Sequence, residues 1–122
     1  NLQEQKMKHY SDKTETELLE LSEQLCEDIS NAMATTYPHA FDRKIKGHRV
    51  NNRGSKYIKI LETENGEDTR VWGFINKGNP DYTFGAVMLA ASWSGPAKNA
   101  SRGNLFDGYK IAGMRLFGPD YL

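Results

Sequence analysis

Lys56-Tyr57-Ile58-Lys59-Ile60-Leu61 and Arg70-Val71-Trp72-Gly73-Phe74-Ile75, with Asn65-Gly66 between them, form the stretch that decides the fold. Both runs are rich in β-branched and aromatic side chains, whose bulk suits a pleated, half-buried surface. Asn and Gly take positive φ more readily than other residues, as tight hairpin turns require. Residues 56–76 therefore read as an antiparallel hairpin whose turn contains Asn65-Gly66, with room for a bulge. If side chains alternate, Lys56, Ile58 and Ile60 share one face, while Tyr57, Lys59 and Leu61 share the other.

Downstream, Gly78-Asn79-Pro80-Asp81 is a second turn leading into a strand from Tyr82 to Leu89, and Tyr109 to Phe117 is a closing run. Between them lies a long loop, 90–108, containing Trp93, Pro96 and Arg102-Gly103-Asn104. Upstream, Lys44 to Val50 reads as an edge strand, a position suited to its lysines and arginine. From Thr14 to Thr36 the texture differs: Leu18, Leu21, Leu25, Ile29, Ala32 and Met33 recur at three- and four-residue steps, the period of one helical face. Thr14 and Glu17 have capping-box spacing, and Pro38 ends the helix.

These elements predict one domain over residues 1–122: a disordered lead-in over 1–10, a helical segment over 11–37 and an antiparallel β region over 44–117. The class is α+β, an N-terminal amphipathic helix followed by a four- or five-stranded antiparallel sheet. A small bent-sheet barrel of the Sm or SH3 type fits this order, and so does an open sheet with the helix across it. The core should be thin, since Leu, Ile, Val and Phe supply only 24 of the 122 residues. Five Phe, six Tyr and two Trp compensate by concentrating apolar area in few side chains.

No apolar run is long enough to span a membrane, and the N-terminus lacks the basic-then-apolar order of a secretory signal. A soluble protein is the expectation. Cys26 is the single cysteine, so an intramolecular disulfide is excluded and a reducing compartment suits the chain. It falls beside the apolar helix face, where it fills volume. His9, His39 and His48 lack the tight spacing of metal ligands, so neither a metal nor another cofactor is expected.

The formal net charge is zero, yet the charge is segregated. Residues 1–42 carry nine acids and three bases. Residues 43–60 carry Arg43, Lys44, Lys46, Arg49, Arg53, Lys56 and Lys59 and no acid, a local charge of +7. Clustered cations beside aromatic rings suit nucleic acid, the cations neutralising phosphates and the rings stacking on bases. Tyr57 and Trp72 are the candidate stacking residues, and Lys98 with Arg102 adds a second cationic loop with the ingredients of an anion cradle. That loop also reads as a rigid connector, with Trp93 packed on Pro96 as a core anchor.

The strand pair and the long loop resemble a group of small, functionally uncharacterised proteins encoded by tailed bacteriophages, frequent in marine phage genomes. The resemblance is carried by Lys56-Tyr57-Ile58-Lys59-Ile60, by Trp72-Gly73-Phe74-Ile75 and by Gly85-Ala86-Val87-Met88-Leu89-Ala90-Ala91-Ser92-Trp93. It continues through Pro96-Ala97-Lys98 and Arg102-Gly103-Asn104-Leu105-Phe106-Asp107. It spans roughly residues 56–107 and departs at Leu89, where such proteins carry a basic residue. It implies a phage origin and a role in the cytoplasm of an infected bacterial host, and assigns no reaction.

The favoured expectation is a non-enzymatic accessory protein that binds single-stranded nucleic acid through its basic surface. The alternative is a protein-interaction module that engages a host or phage enzyme through the acidic helix, with Glu20, Glu23 and Glu27 as contacts. A hydrolase would need a nucleophile, a base and an orienting group together, and no motif supplies them. Self-association is compatible with each, because a thinly cored domain gains stability by burying an apolar face on a second copy.

Overall fold

Helix α1 runs from Glu15 to Thr36, followed by strands β1 (Lys46–Asn51), β2 (Tyr57–Glu64), β3 (Glu67–Asn76) and β4 (Val87–Leu89). A short 3-10 turn follows at Leu105–Asp107. The computed structural model describes residues 12–109, 111 and 116–119. The four strands form one antiparallel sheet in the order β1-β2-β3-β4, with β1 and β4 at its edges. The expected α+β class is therefore observed, and the sheet is open. The predicted lead-in over 1–10 lies outside the described residues. So does part of the closing run from Tyr109 to Phe117, whose described residues are not in strand.

Thr14 caps α1 by accepting the Glu17 N–H at 3.2 Å. Leu18, Leu25, Cys26, Ile29 and Met33 are buried against the sheet, and Leu21 and Ala32 pack on the rim of the same cluster. Each fully buried aliphatic side chain contributes about 1.5–3 kcal/mol, and this stripe is the main bond between helix and sheet. Tyr37 N–H donates to Met33 O at 2.7 Å, and Pro38 follows.

The hairpin forms with a two-residue turn: Glu64 pairs with Glu67 across Asn65 and Gly66, whose φ values are 52° and 82°. Two positive φ angles define the turn type that matches the natural twist of paired strands. The register shifts between Ile60 and Leu61, where Gly73 and Val71 are the partners and Trp72 is the extra residue. That bulge breaks the alternation and sends Trp72 into the cluster beneath the helix with Ile58, Ile60 and Ile75. Its indole N–H donates to Leu116 O at 3.0 Å. Gly73 is required here, since a Cβ would lie 2.9 Å from both Met88 O and Pro119.

The strand expected from Tyr82 to Leu89 is shortened to Val87–Leu89. The reason is Asn76, 1% exposed at the end of β3. Its Nδ2 donates to Asn79 O, Tyr82 O and Thr83 O at 3.0–3.1 Å, and its Oδ1 accepts the Asn79 N–H at 3.0 Å. An amide that gathers three carbonyls curls the chain into a loop before it can extend. The long loop then returns along β4: Val87 and the 102–103 segment exchange hydrogen bonds, and Ala86 bridges Asn104.

Candidate nucleic-acid interface

The opposite sheet face carries a smaller cluster of Phe74, Ala86 and Met88, flanked by Tyr57, Val71, Tyr82 and Ala90. Beside it opens a cleft of about 410 Å³ lined by Asn51, Arg53, Lys56, Tyr57, Lys59 and Phe74, among others. Register accounts for the lining: Lys59 pairs with Asn51 on one side and Phe74 on the other, so the three side chains share a face. The Tyr57 ring meets Phe74 edge-on at 6.0 Å, and its hydroxyl accepts from Asn79 Nδ2 at 2.7 Å.

The turn carrying Arg53 and Lys56 is held at several points. Arg53 N–H donates to Asn51 Oδ1 at 3.0 Å. Lys56 O accepts from the N–H groups of Lys77 and Gly78, and a Cβ on Gly78 would lie 2.5 Å from Ser55 O. Lys77 Nζ reaches Asn52 Oδ1 at 2.6 Å and Glu15 Oε1 at 3.1 Å, joining this turn to the start of α1. Asn52 Nδ2 also donates to Glu15 Oε1 at 3.1 Å, and that bond, followed by Lys77, holds the Glu15 carboxyl below its ordinary pKa.

The seven cations of residues 43–60 separate into groups. Arg43 pairs with Glu27 at 3.1 Å and also bonds Asn31. Lys46 lies 3.7 Å from Glu64 and donates to Ala40 O. Arg49 makes a two-pronged pair with Asp68, both bonds at 2.6 Å, which lowers the Asp68 pKa and raises that of Arg49. Lys44 is exposed in the turn before β1. Arg53, Lys56 and Lys59 line the cleft, and none has a carboxylate within 4.0 Å among the described residues. Acid on α1, β2 and β3 thus covers one end of the basic segment and leaves the other to solvent.

Trp72 is corrected from a stacking candidate to a core residue, 2% exposed with its one polar atom bonded. Trp93 is corrected in the opposite sense. Expected as a core anchor on Pro96, it is 50% exposed, and Lys59 Nζ stands 5.1 Å from its ring centre and 5.9 Å from that of Phe74. Phase errors at the bulge hid Trp72, while the polar turn Ser92-Trp93-Ser94-Gly95 is the signal that marks Trp93 as exposed. Phe74 was also absent from the expected set.

Lys98 and Arg102 lie on the segment that runs past β4 and do not line the cleft. The anion-cradle expectation loses its donors there. Arg102 N–H bonds Val87 O, Leu105 N–H bonds Gly85 O and Phe106 N–H bonds Asn104 Oδ1. The Arg102 guanidinium is engaged by Asn99 Oδ1 and Ala100 O.

Two reactive groups are sealed. Burial, and after it Glu23 and Glu27, pushes the Cys26 thiol up to about 12. Ser30 Oγ lies 2.8 Å from His48 Nδ1, and His48 Nε2 lies 3.7 Å from Glu62, but Ser30 is 1% exposed and no substrate reaches it. His39 is exposed, and His9 is outside the described residues. Among the described residues, no three His, Cys, Asp or Glu side chains gather as a metal site requires, and no helix is long and apolar enough to cross a membrane.

No curated protein and no solved structure matches the chain. The model of DUF7717, a family of unknown function, matches residues 2–114, and the chain belongs to that family.

Proposed function

We propose that this chain is a non-enzymatic accessory protein of phage origin that binds single-stranded nucleic acid in the cleft formed by Arg53, Lys56 and Lys59. The observation that supports this reading is the convergence of three cations, without carboxylate partners among the described residues, on a cleft walled by Tyr57 and Phe74. Phosphates supply the charge this surface lacks, and releasing their condensed counterions drives binding. The resemblance across residues 56–107 supports a phage origin and, with it, a place in the cytoplasm of an infected bacterium. Lys44, before the far end of β1, and Lys98 and Arg102, on the segment past β4, lie outside the cleft, and Arg43, Lys46 and Arg49 already serve carboxylates.

The test is binding of a fluorescently labelled oligo-dT followed by anisotropy across a salt series. Log affinity should fall linearly with log salt, at about 0.7 per neutralised phosphate, giving a slope near −2 for three contacts. Replacing Arg53, Lys56 and Lys59 together by Ala should flatten it, while replacing Arg43, Lys46 and Arg49 should change it little. Absence of binding at low salt refutes the proposal. Capture of a basic protein that depends on Glu20 and Glu23 favours the interaction-module alternative.

A further inference from the structure

Trp93 is held in water by its own loop. Ala91 and Ser92 donate their N–H groups to Gly95 O at 3.1 and 3.2 Å, and Ser94 N–H donates to Ser92 Oγ at 3.2 Å. An Ala90–Pro96 bridge closes the base of this turn, and Ala97 N–H donates to Leu89 O at 2.7 Å. A braced turn that leaves a large aromatic ring half exposed forgoes the burial such a ring ordinarily gains. The ring adjoins the cationic cleft: Lys59, which lines the cleft, has its Nζ 5.1 Å from the ring centre, and the neighbouring Ser94 is in the lining.

We infer that Trp93 is a stacking platform for one unpaired base, with Lys59 holding the adjacent phosphate and Arg53 and Lys56 the next. This rests on the cleft being a nucleic-acid surface and adds what it recognises there. A base inside a duplex has both faces covered by its neighbours, so only an unstacked base can lie on the indole. The ring also explains how one ligand satisfies both features of the cleft, its charge and its aromatic rim. An anion without a flat face uses only the first.

The experiment compares oligo-dT with an abasic oligomer of the same length, at low salt, on the wild type, Trp93→Phe and Trp93→Ala. Trp93→Ala should weaken oligo-dT about 5- to 150-fold, the range measured for loss of one base–aromatic stack. Trp93→Phe should recover part of that loss. The wild type should bind the abasic oligomer as weakly as Trp93→Ala binds oligo-dT, and Trp93→Ala should no longer distinguish the two. Trp72, sealed in the core, supplies an internal emission reference: oligo-dT should quench the wild type and leave Trp93→Ala unchanged. Wild-type affinity in Trp93→Ala, or equal wild-type affinity for both oligomers, overturns the inference while leaving the cleft reading intact. Failure of the wild type to bind either oligomer removes the cleft reading itself. Should Trp93→Ala not fold, the abasic comparison on the wild-type chain decides.

Discussion

Replacing Asn76 by Asp should destabilise the protein severely at neutral pH although the side-chain volume hardly changes. Asn76 is 1% exposed, and its Nδ2 serves three carbonyl oxygens at 3.0–3.1 Å. An aspartate keeps the acceptor for Asn79 N–H and turns the donor into an oxygen facing those carbonyls. An unsatisfied buried acceptor costs about 1–3 kcal/mol. Asn79 O keeps the Tyr82 N–H and Thr83 O keeps the Ala86 N–H, which leaves Tyr82 O and the introduced oxygen without donors, so the deficit is about 2–6 kcal/mol before electrostatic repulsion, against a total stability of about 5–15 kcal/mol. The loop between β3 and β4 should open first, because that amide is what curls it. Repulsion and burial raise the folded-state pKa of the introduced carboxyl above its unfolded value. The protonated acid regains one O–H donor, so the deficit relative to the wild type should narrow as pH falls. Urea unfolding followed by tryptophan emission at pH 7 and at about pH 5 measures both effects. A wild-type midpoint at pH 7, or a deficit that does not narrow in acid, would refute the reasoning.

Leu25→Ala should cost about 2–5 kcal/mol in the same assay, since Leu25 is 4% exposed beneath α1; a loss under about 1 kcal/mol would contradict that packing. Burial, and after it Arg43 and Arg70, lowers the His48 pKa from 6.5 to about 4. Between those values the unfolded chain holds the proton and the folded chain does not, so stability should fall by roughly 3 kcal/mol as pH drops through that window. Glu62, whose burial raises its pKa, opposes the loss by taking up a proton more readily when folded. His48→Phe, keeping the ring against Phe41, should remove most of the acid slope; an unchanged slope would assign it elsewhere.

The elements whose cause is local were legible in the sequence. The period of Leu18 to Met33 places the helix face, and Asn65-Gly66 places the turn. A period-two pattern does not show the bulge at Trp72, where one extra residue breaks the alternation, so the indole is assigned to the wrong face, whereas Trp93 is decided by a loop turn. The shortening of β4 depends on a single amide whose three acceptors lie three to seven residues away. The basic segment overstated the surface charge, because Glu27 and Asp68, 16 and 19 residues distant in the chain, neutralise Arg43 and Arg49 only after folding. Arg53, Lys56, Tyr57 and Lys59 were legible because they lie within one turn and strand. Phe74 and Trp93 join them through strand pairing and loop return.

A ¹⁵N–¹H NMR titration of the labelled chain with oligo-dT at low salt tests the central claim most directly. Shift changes should concentrate on the amides of residues 51–59 and 92–95 and on the Trp93 indole N–H, while the Trp72 indole N–H, bonded to Leu116 O, stays in place. Changes centred on Glu20, Glu23 and Glu27, or none at saturating oligomer, would contradict the account.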